Sequence, residues 1–191
     1  MQTFATLLIA AAVFGICYIV DKTFTKKFRS KAQHMSGMAV RANKMYGIFG
    51  VVLIVVGILA VIVGITSSIL LLIGGIVVLG MGTGLAIHYL GFGIFYDGES
   101  FLVSRPGKQS IAHYYKEIRE QKLYLIQGGN ILVELYLTDS STVTLQSTMD
   151  GIYTFLDTAF AGWCLQTGRD PQSCDFHDPS KHWWFPHEED V

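Results

Sequence analysis

The sequence has no Asp, Glu, Lys or Arg between Gly47 and Ile87. That absence excludes a single core helix of a soluble protein, because a helix rises about 1.5 Å per residue and roughly 20 residues already cross a bilayer's hydrocarbon. The run is long enough for two spans. Cysteine is almost as scarce, with only Cys17, Cys164 and Cys174. Three scattered thiols, one of them inside an apolar segment, exclude a disulfide framework, and a reducing compartment is the simpler reading for Cys164 and Cys174. Polar groups at membrane depth are missing as well, apart from hydroxyls such as that of Thr83; His88 falls at the inner end of its segment. Ion and proton paths need such groups, so conduction through one copy of the chain is not expected. No Gly-rich phosphate loop precedes a helix, and no Ser-His-Asp or Cys-His spacing of a known nucleophile motif occurs. These gaps leave neither a catalytic residue nor a cofactor to expect.

What is present is divided by charge. Residues 1–90 hold seven Lys/Arg and one Asp; residues 91–191 hold seven Lys/Arg and fourteen Asp/Glu. The first half reads as membrane with one basic connection, the second as a solvated domain. A first span is expected over residues 1–20, with its apolar run from Phe4 to Val20. A cleaved signal peptide is the rival reading, but it wants a basic start, and here the lysines follow the apolar run. Residues 46–90 read as a hairpin of two further spans, broken by Thr66-Ser67-Ser68. Lipid offers helices no hydrophobic drive to associate, so close backbone packing must hold such a hairpin. Gly50, Gly57 and Gly64 recur every seven residues in its first arm, and Gly80 and Gly84 form a small-xxx-small pair in its second. These five are the candidate packing residues; a homo-oligomer interface is the alternative use.

The connection, residues 21–45, is read as a basic cytoplasmic loop carrying Lys22, Lys26, Lys27, Arg29, Lys31, Arg41 and Lys44 against Asp21 alone. Basic short loops stay inside, which puts the N-terminus outside and the second half in the cytoplasm. The same residues are candidates for contact with an anionic membrane surface, since Phe24, Phe28, Ala32 and Met35 recur at helical spacing among them.

From Phe92 the period changes. GIFYDGESFLVSR reads as strand, turn and strand, SIAHYY as a short strand, and KLYLIQ with ILVELYL as a hairpin about Gly128-Gly129-Asn130. TVTLQST closes the meander. A helix follows, with Asp150 as its expected N-cap and Gly168 as its stop. Ile152, Phe155, Leu156, Ala159, Phe160, Trp163 and Cys164 give it an unbroken apolar stripe. The fold expected for residues 91–168 is α+β: an antiparallel curved sheet or partial barrel capped by a C-terminal helix. Residues 169–191 read as a His/Trp-rich tail. Cys174, His177, His182 and His187 are metal candidates by residue type, although C-x2-H-x4-H-x4-H is not a recognised zinc spacing. Trp183, Trp184 and Phe185 are candidates for docking, on the domain or on a partner.

A membrane hairpin leading into IFYDGESFLVSR, then an aromatic-x-x-Glu-Ile step (HYYKEI, with Glu117-Ile118), a hairpin and a closing helix resembles the bacterial pleckstrin-homology-like (PH-like) domains appended to transmembrane hairpins. The resemblance covers roughly residues 46–166. It implies a small β-barrel closed by a C-terminal helix and no catalytic residue. The basic first loop of lipid-binding members is replaced by Asp97-Gly98-Glu99, so phosphoinositide binding is not carried over. The expected function is that of a non-enzymatic, multi-pass protein of the cell membrane whose cytoplasmic PH-like domain binds a protein partner or regulates a membrane complex. Its partners are then the lipid bilayer and another membrane or cytoplasmic protein, not nucleic acid. Two other classes stay open: a toxin-immunity or membrane-stress protein acting in the bilayer, and a metal-dependent sensor or enzyme using the His-rich tail.

Overall fold

The computed structural model describes residue 15, residues 38–107 and residues 109–187. The expected first span and the cluster Lys22, Lys26, Lys27, Arg29 and Lys31 lie outside the described residues. The chain forms two units: one contains residues 43–92, the other residues 38–42 with 93–187.

The first unit is an antiparallel helical hairpin, α1 over Lys44–Ser67 and α2 over Ile69–Gly91. Both helices are long and apolar enough to cross a membrane, with mean hydropathy 3.3 and 2.3. Asn43 caps α1, its side chain accepting from the N–H of Met45 at 2.9 Å. Ser68 alone separates the helices, in extended conformation. A Cβ on Gly57 would lie 2.7 Å from Leu79 N, and one on Gly50 would lie 3.0 Å from Ala86 N; Gly64 faces the main chain of Leu72 in the same way. All three expected glycines of α1 therefore sit where the backbones meet. The pair in α2 is different. Gly80 and Gly84 have open space around them, while Gly75 and Gly82 meet Val61 N and Ile54 N, each at 2.7 Å from a Cβ. The small-xxx-small pair therefore lies off the contact between the two helices. The interface of α2 repeats the seven-residue step of α1, because two helices lying side by side need small residues of matching period on both. Thr83 bonds back to Leu79 O at 2.8 Å, so its hydroxyl is satisfied within its own helix.

The second unit has two antiparallel sheets and a helix. Strands β1 (Met38–Arg41), β2 (Gly93–Tyr96), β3 (Ser100–Ser104) and β4 (Ile111–Tyr114) form one sheet in that order. Strands β5 (Ile118–Leu125), β6 (Ile131–Leu137) and β7 (Thr142–Gln146) form the other. Every strand after Phe92 overlaps a segment read as strand from sequence, although β5 begins four residues ahead of KLYLIQ. Strand β1 does not: residues 38–41 belong to the stretch read as a loop. They form a strand because Val40 and the adjoining Ala42 are apolar and fully buried, and because β2 offers a pairing edge with Arg41 opposite Gly93. Arg41, expected at a membrane surface, is a strand residue, and Lys44 is the first residue of α1. The hairpin is consequently an insertion in the chain between two paired strands.

Helix α3 runs over Ile152–Thr167 and buries the whole predicted stripe. Trp163 Nε1 donates to Ile118 O at 3.0 Å, joining the helix to β5. Gly168 ends it in the left-handed region, φ 69°, as the stop signal requires. The N-cap is corrected to Gly151, φ 82°. The Asp150 main chain is engaged elsewhere, exchanging two hydrogen bonds with Arg41 at 3.0 and 3.1 Å. Close approach recurs at Gly162, where an added Cβ would collide with the Tyr115 ring.

Candidate functional site

The tail residues singled out by sequence are the first to place. Trp184 is 1% exposed and Phe185 is fully buried, both in the core cluster with Phe160, Trp163 and Cys174. Trp184 Nε1 donates to Asp157 Oδ1 at 2.7 Å. Gln121, buried in β5, fastens this segment: its Oε1 accepts from Trp184 N at 2.9 Å and Phe185 N at 3.1 Å, its Nε2 donates to His182 O at 2.6 Å, and its main-chain N–H donates to Pro186 O at 2.7 Å. Residues 169–187 are therefore part of the domain rather than a separate tail. Two large aromatic groups find more favourable surroundings in the core than in water. Of the three docking candidates only Trp183 stays partly exposed, stacked on His187 with ring centroids 4.4 Å apart.

The four metal candidates are dispersed by the same packing. Cys174 is buried under the helix, its thiol near Asp170 O at 3.5 Å. His177 stacks on Phe160 at 3.6 Å between centroids, and His182 lies against Tyr153 and Trp184. No group of three or more His, Cys, Asp or Glu able to hold a metal ion occurs among the described residues. Burial pushes the Cys164 thiol up to about 11, with the neighbouring Cys174 adding to the shift.

A different region carries the features of a binding surface. Strand β4 is the last strand of its sheet. No main-chain hydrogen bond of Ile111–Tyr114 other than those of that sheet occurs among the described residues. Its side chains do not blunt the edge: Ile111 is 57% and Tyr114 54% exposed. Exposed, apolar strand edges are templates for pairing with another chain, and proteins usually cover or charge them.

Two hollows flank β4. The first, about 210 Å³, lies where the two sheets part and is lined by Val103, Arg105, Gln109, Ile111, His113, Ser141 and Val143. His113 is buried and its Nδ1 meets Glu117 Oε2 at 3.0 Å. Arg105 Nη2 donates to Thr142 O at 2.6 Å. Asp139 is held below the usual carboxylate range by the side chain of Ser141 and by the Ser141 main-chain N–H, which donates at 2.8 Å. The second hollow, about 330 Å³, is lined by Gly98, Glu99, Tyr114, Lys116, Leu165 and Gln166. Here Gln166 ties the helix to the sheet, accepting from Lys116 N at 2.9 Å and donating to Glu99 O at 2.6 Å. Leu165 beside it is 81% exposed.

No family model, curated protein or solved structure matches this chain. The geometry of β4 and its two hollows is therefore what speaks to function. Sequence reasoning singled out Glu117 as part of the Glu117-Ile118 step. The signal that could have found the His113–Glu117 pair was their four-residue spacing across the strand end. The orphan edge of β4 had no signal in sequence, since strand order is not written there.

Proposed function

We propose that this chain is a non-enzymatic integral membrane protein whose soluble half is a PH-like domain that docks a protein partner. The observation that carries it is the edge of β4 that no described strand pairs, with Ile111 and Tyr114 exposed and a hollow on either side. An extended segment of another protein adding to that edge would satisfy its main-chain groups and cover its apolar side chains. Two antiparallel sheets closed by α3 support the PH-like reading, as does the helical hairpin that the chain inserts between β1 and β2. The domain sits in the cytoplasm and the N-terminus outside, with a first span ahead of the hairpin; the basic stretch from Lys22 to Lys44 supports that orientation.

The test uses the full chain in intact cells. A photoreactive residue in place of Tyr114 should give an adduct with one defined protein, while the same residue in place of Lys122, on the other sheet, should not. Equal adducts from both positions, or none from Tyr114, would remove β4 as the docking edge. For the orientation, an impermeant thiol reagent should leave Lys108→Cys unlabelled until the membrane is opened. Labelling in intact cells would overturn the cytoplasmic placement.

A further inference from the structure

We infer that the segment docked on β4 carries an acidic side chain, which enters the smaller hollow and pairs with Arg105. The inference rests on β4 being the docking edge and adds the chemistry of the partner.

The size of the hollow comes first. Sites for drug-sized ligands run to about 300–1,000 Å³. At about 210 Å³ this one suits a single side chain. Successive side chains of an added strand point to opposite faces, so every second residue of the segment would face it. Its walls are Val103, Ile111 and Val143, which suit the methylene part of an incoming side chain.

Its charge comes next. Arg105 is only partly exposed, and among the described residues its hydrogen bond is to the main-chain oxygen of Thr142. A guanidinium has five N–H donors in a fork that matches a carboxylate. No carboxylate among the described residues forms an ion pair with it. Two acids bonded to residues of its lining are already engaged, Glu117 by His113 and Asp139 by Ser141. Strand β4 has no acid of its own, and Lys116 follows it. A cation with no counter-ion among the described residues, beside an apolar edge that no described strand pairs, is complementary to an extended segment with one carboxylate. Gln109 on the rim supplies a further amide donor.

The experiment places a photoreactive residue at Ala112, on the exposed part of β4, in the full chain in its own membrane, and maps the adduct by mass spectrometry. The expected attachment point has an Asp or Glu within two residues of it. Arg105→Gln and Arg105→Glu should each lower the adduct roughly tenfold or more, as expected for loss of a charge-assisted pair. Changing the mapped acid to Lys should restore the adduct to the Arg105→Glu chain. Changing that acid to Gln should weaken the adduct with the unaltered chain, which tests the pairing without relying on the fold of an Arg105 variant. An adduct that lacks a nearby acid, or survives all these changes, overturns the acidic partner and leaves β4 as a docking edge. An adduct between two copies of this chain, or none at either Ala112 or Tyr114, overturns the docking of a separate protein as well.

Discussion

The hairpin and the sheet domain achieve close packing with opposite materials. In the hairpin the contact is made by what is absent: Gly50, Gly57 and Gly64 on α1 and Gly75 and Gly82 on α2 let main chain lie against main chain. Many of its large side chains, among them Phe49, Ile62, Ile73 and Met81, are exposed instead. In the domain the contact is made by bulk, with Phe95, Phe101, Tyr115, Phe155, Trp184 and Phe185 all below 2% exposed. The difference matches the surroundings to which each composition is suited. Water drives apolar side chains together, at roughly 25 cal/mol per Å² buried, whereas lipid tails are as apolar as leucine and leave packing contacts to hold helices together. A glycine is thus a contact residue in one unit and, with the exception of Gly162, chiefly a turn or cap residue in the other.

The largest effect expected from breaking this contrast is at Trp184. Trp184→Ala removes a buried ring, the bond to Asp157 and the cover over the Gln121 anchor, at a cost of about 3–5 kcal/mol. Near-ultraviolet circular dichroism of the full chain should show Tm of the domain falling by more than about 10 °C. The far-ultraviolet helical signal of the hairpin should persist above that transition. A chain that melts like the parent would mean that the aromatic segment is not holding the domain.

A smaller effect is expected in the hairpin. Gly57→Val places a branched side chain against the main chain at Leu79 and should cost about 1–3 kcal/mol by overpacking. Gly84→Val, which meets open space, should change little. Disulfide trapping between single cysteines on the two helices reads the difference as lost cross-linking. Equal behaviour of the two variants would mean that the glycines do not set the interface.

The smallest effect is one of pH. The Cys164 thiol is raised from 9.0 to about 11 by burial, so the folded domain favours the neutral thiol. That preference contributes in full below the unfolded value and is lost as pH rises through the folded one. Denaturant midpoints should therefore decline between pH 9 and 11, and Cys164→Ala should flatten the decline relative to the parent. At pH 7.5 the thiol should react with a disulfide reagent only as fast as the domain opens. Rapid reaction would show Cys164 to be accessible, and the core would need redrawing around it.

Much of the fold was legible because it obeyed local rules. The uncharged run gave two helices long and apolar enough to cross a membrane, the strand-like segments gave β2 to β7 apart from the first half of β5, and the stripe from Ile152 to Cys164 marked the buried face of α3. Misreadings occurred where a distant partner decided the outcome. Gly80 and Gly84 have a favourable spacing, but which face of α2 meets α1 depends on both helices together. Asp150 is a good cap by residue type, yet the strand at Arg41 claims its main chain. Met38–Arg41 is too short, and too close to basic residues, to read as a strand until β2 stands beside it.

The candidate site shows the same division more sharply. Sequence by itself determined that one half of the chain holds two stretches long and apolar enough to cross a membrane, and that the acidic other half is a meander closed by a helix. Those features come from hydrophobicity and short-range geometry, which any stretch of the chain carries within itself. Only the tertiary structure decided that Trp184 and Phe185 are core, that Gln121 holds them, and that β4 lies at the end of its sheet among the described residues, near Arg105. Each of those facts depends on residues some 35 to 65 positions apart being brought into register. The energy that brings them there is the collective burial of the core, not a preference of any one segment.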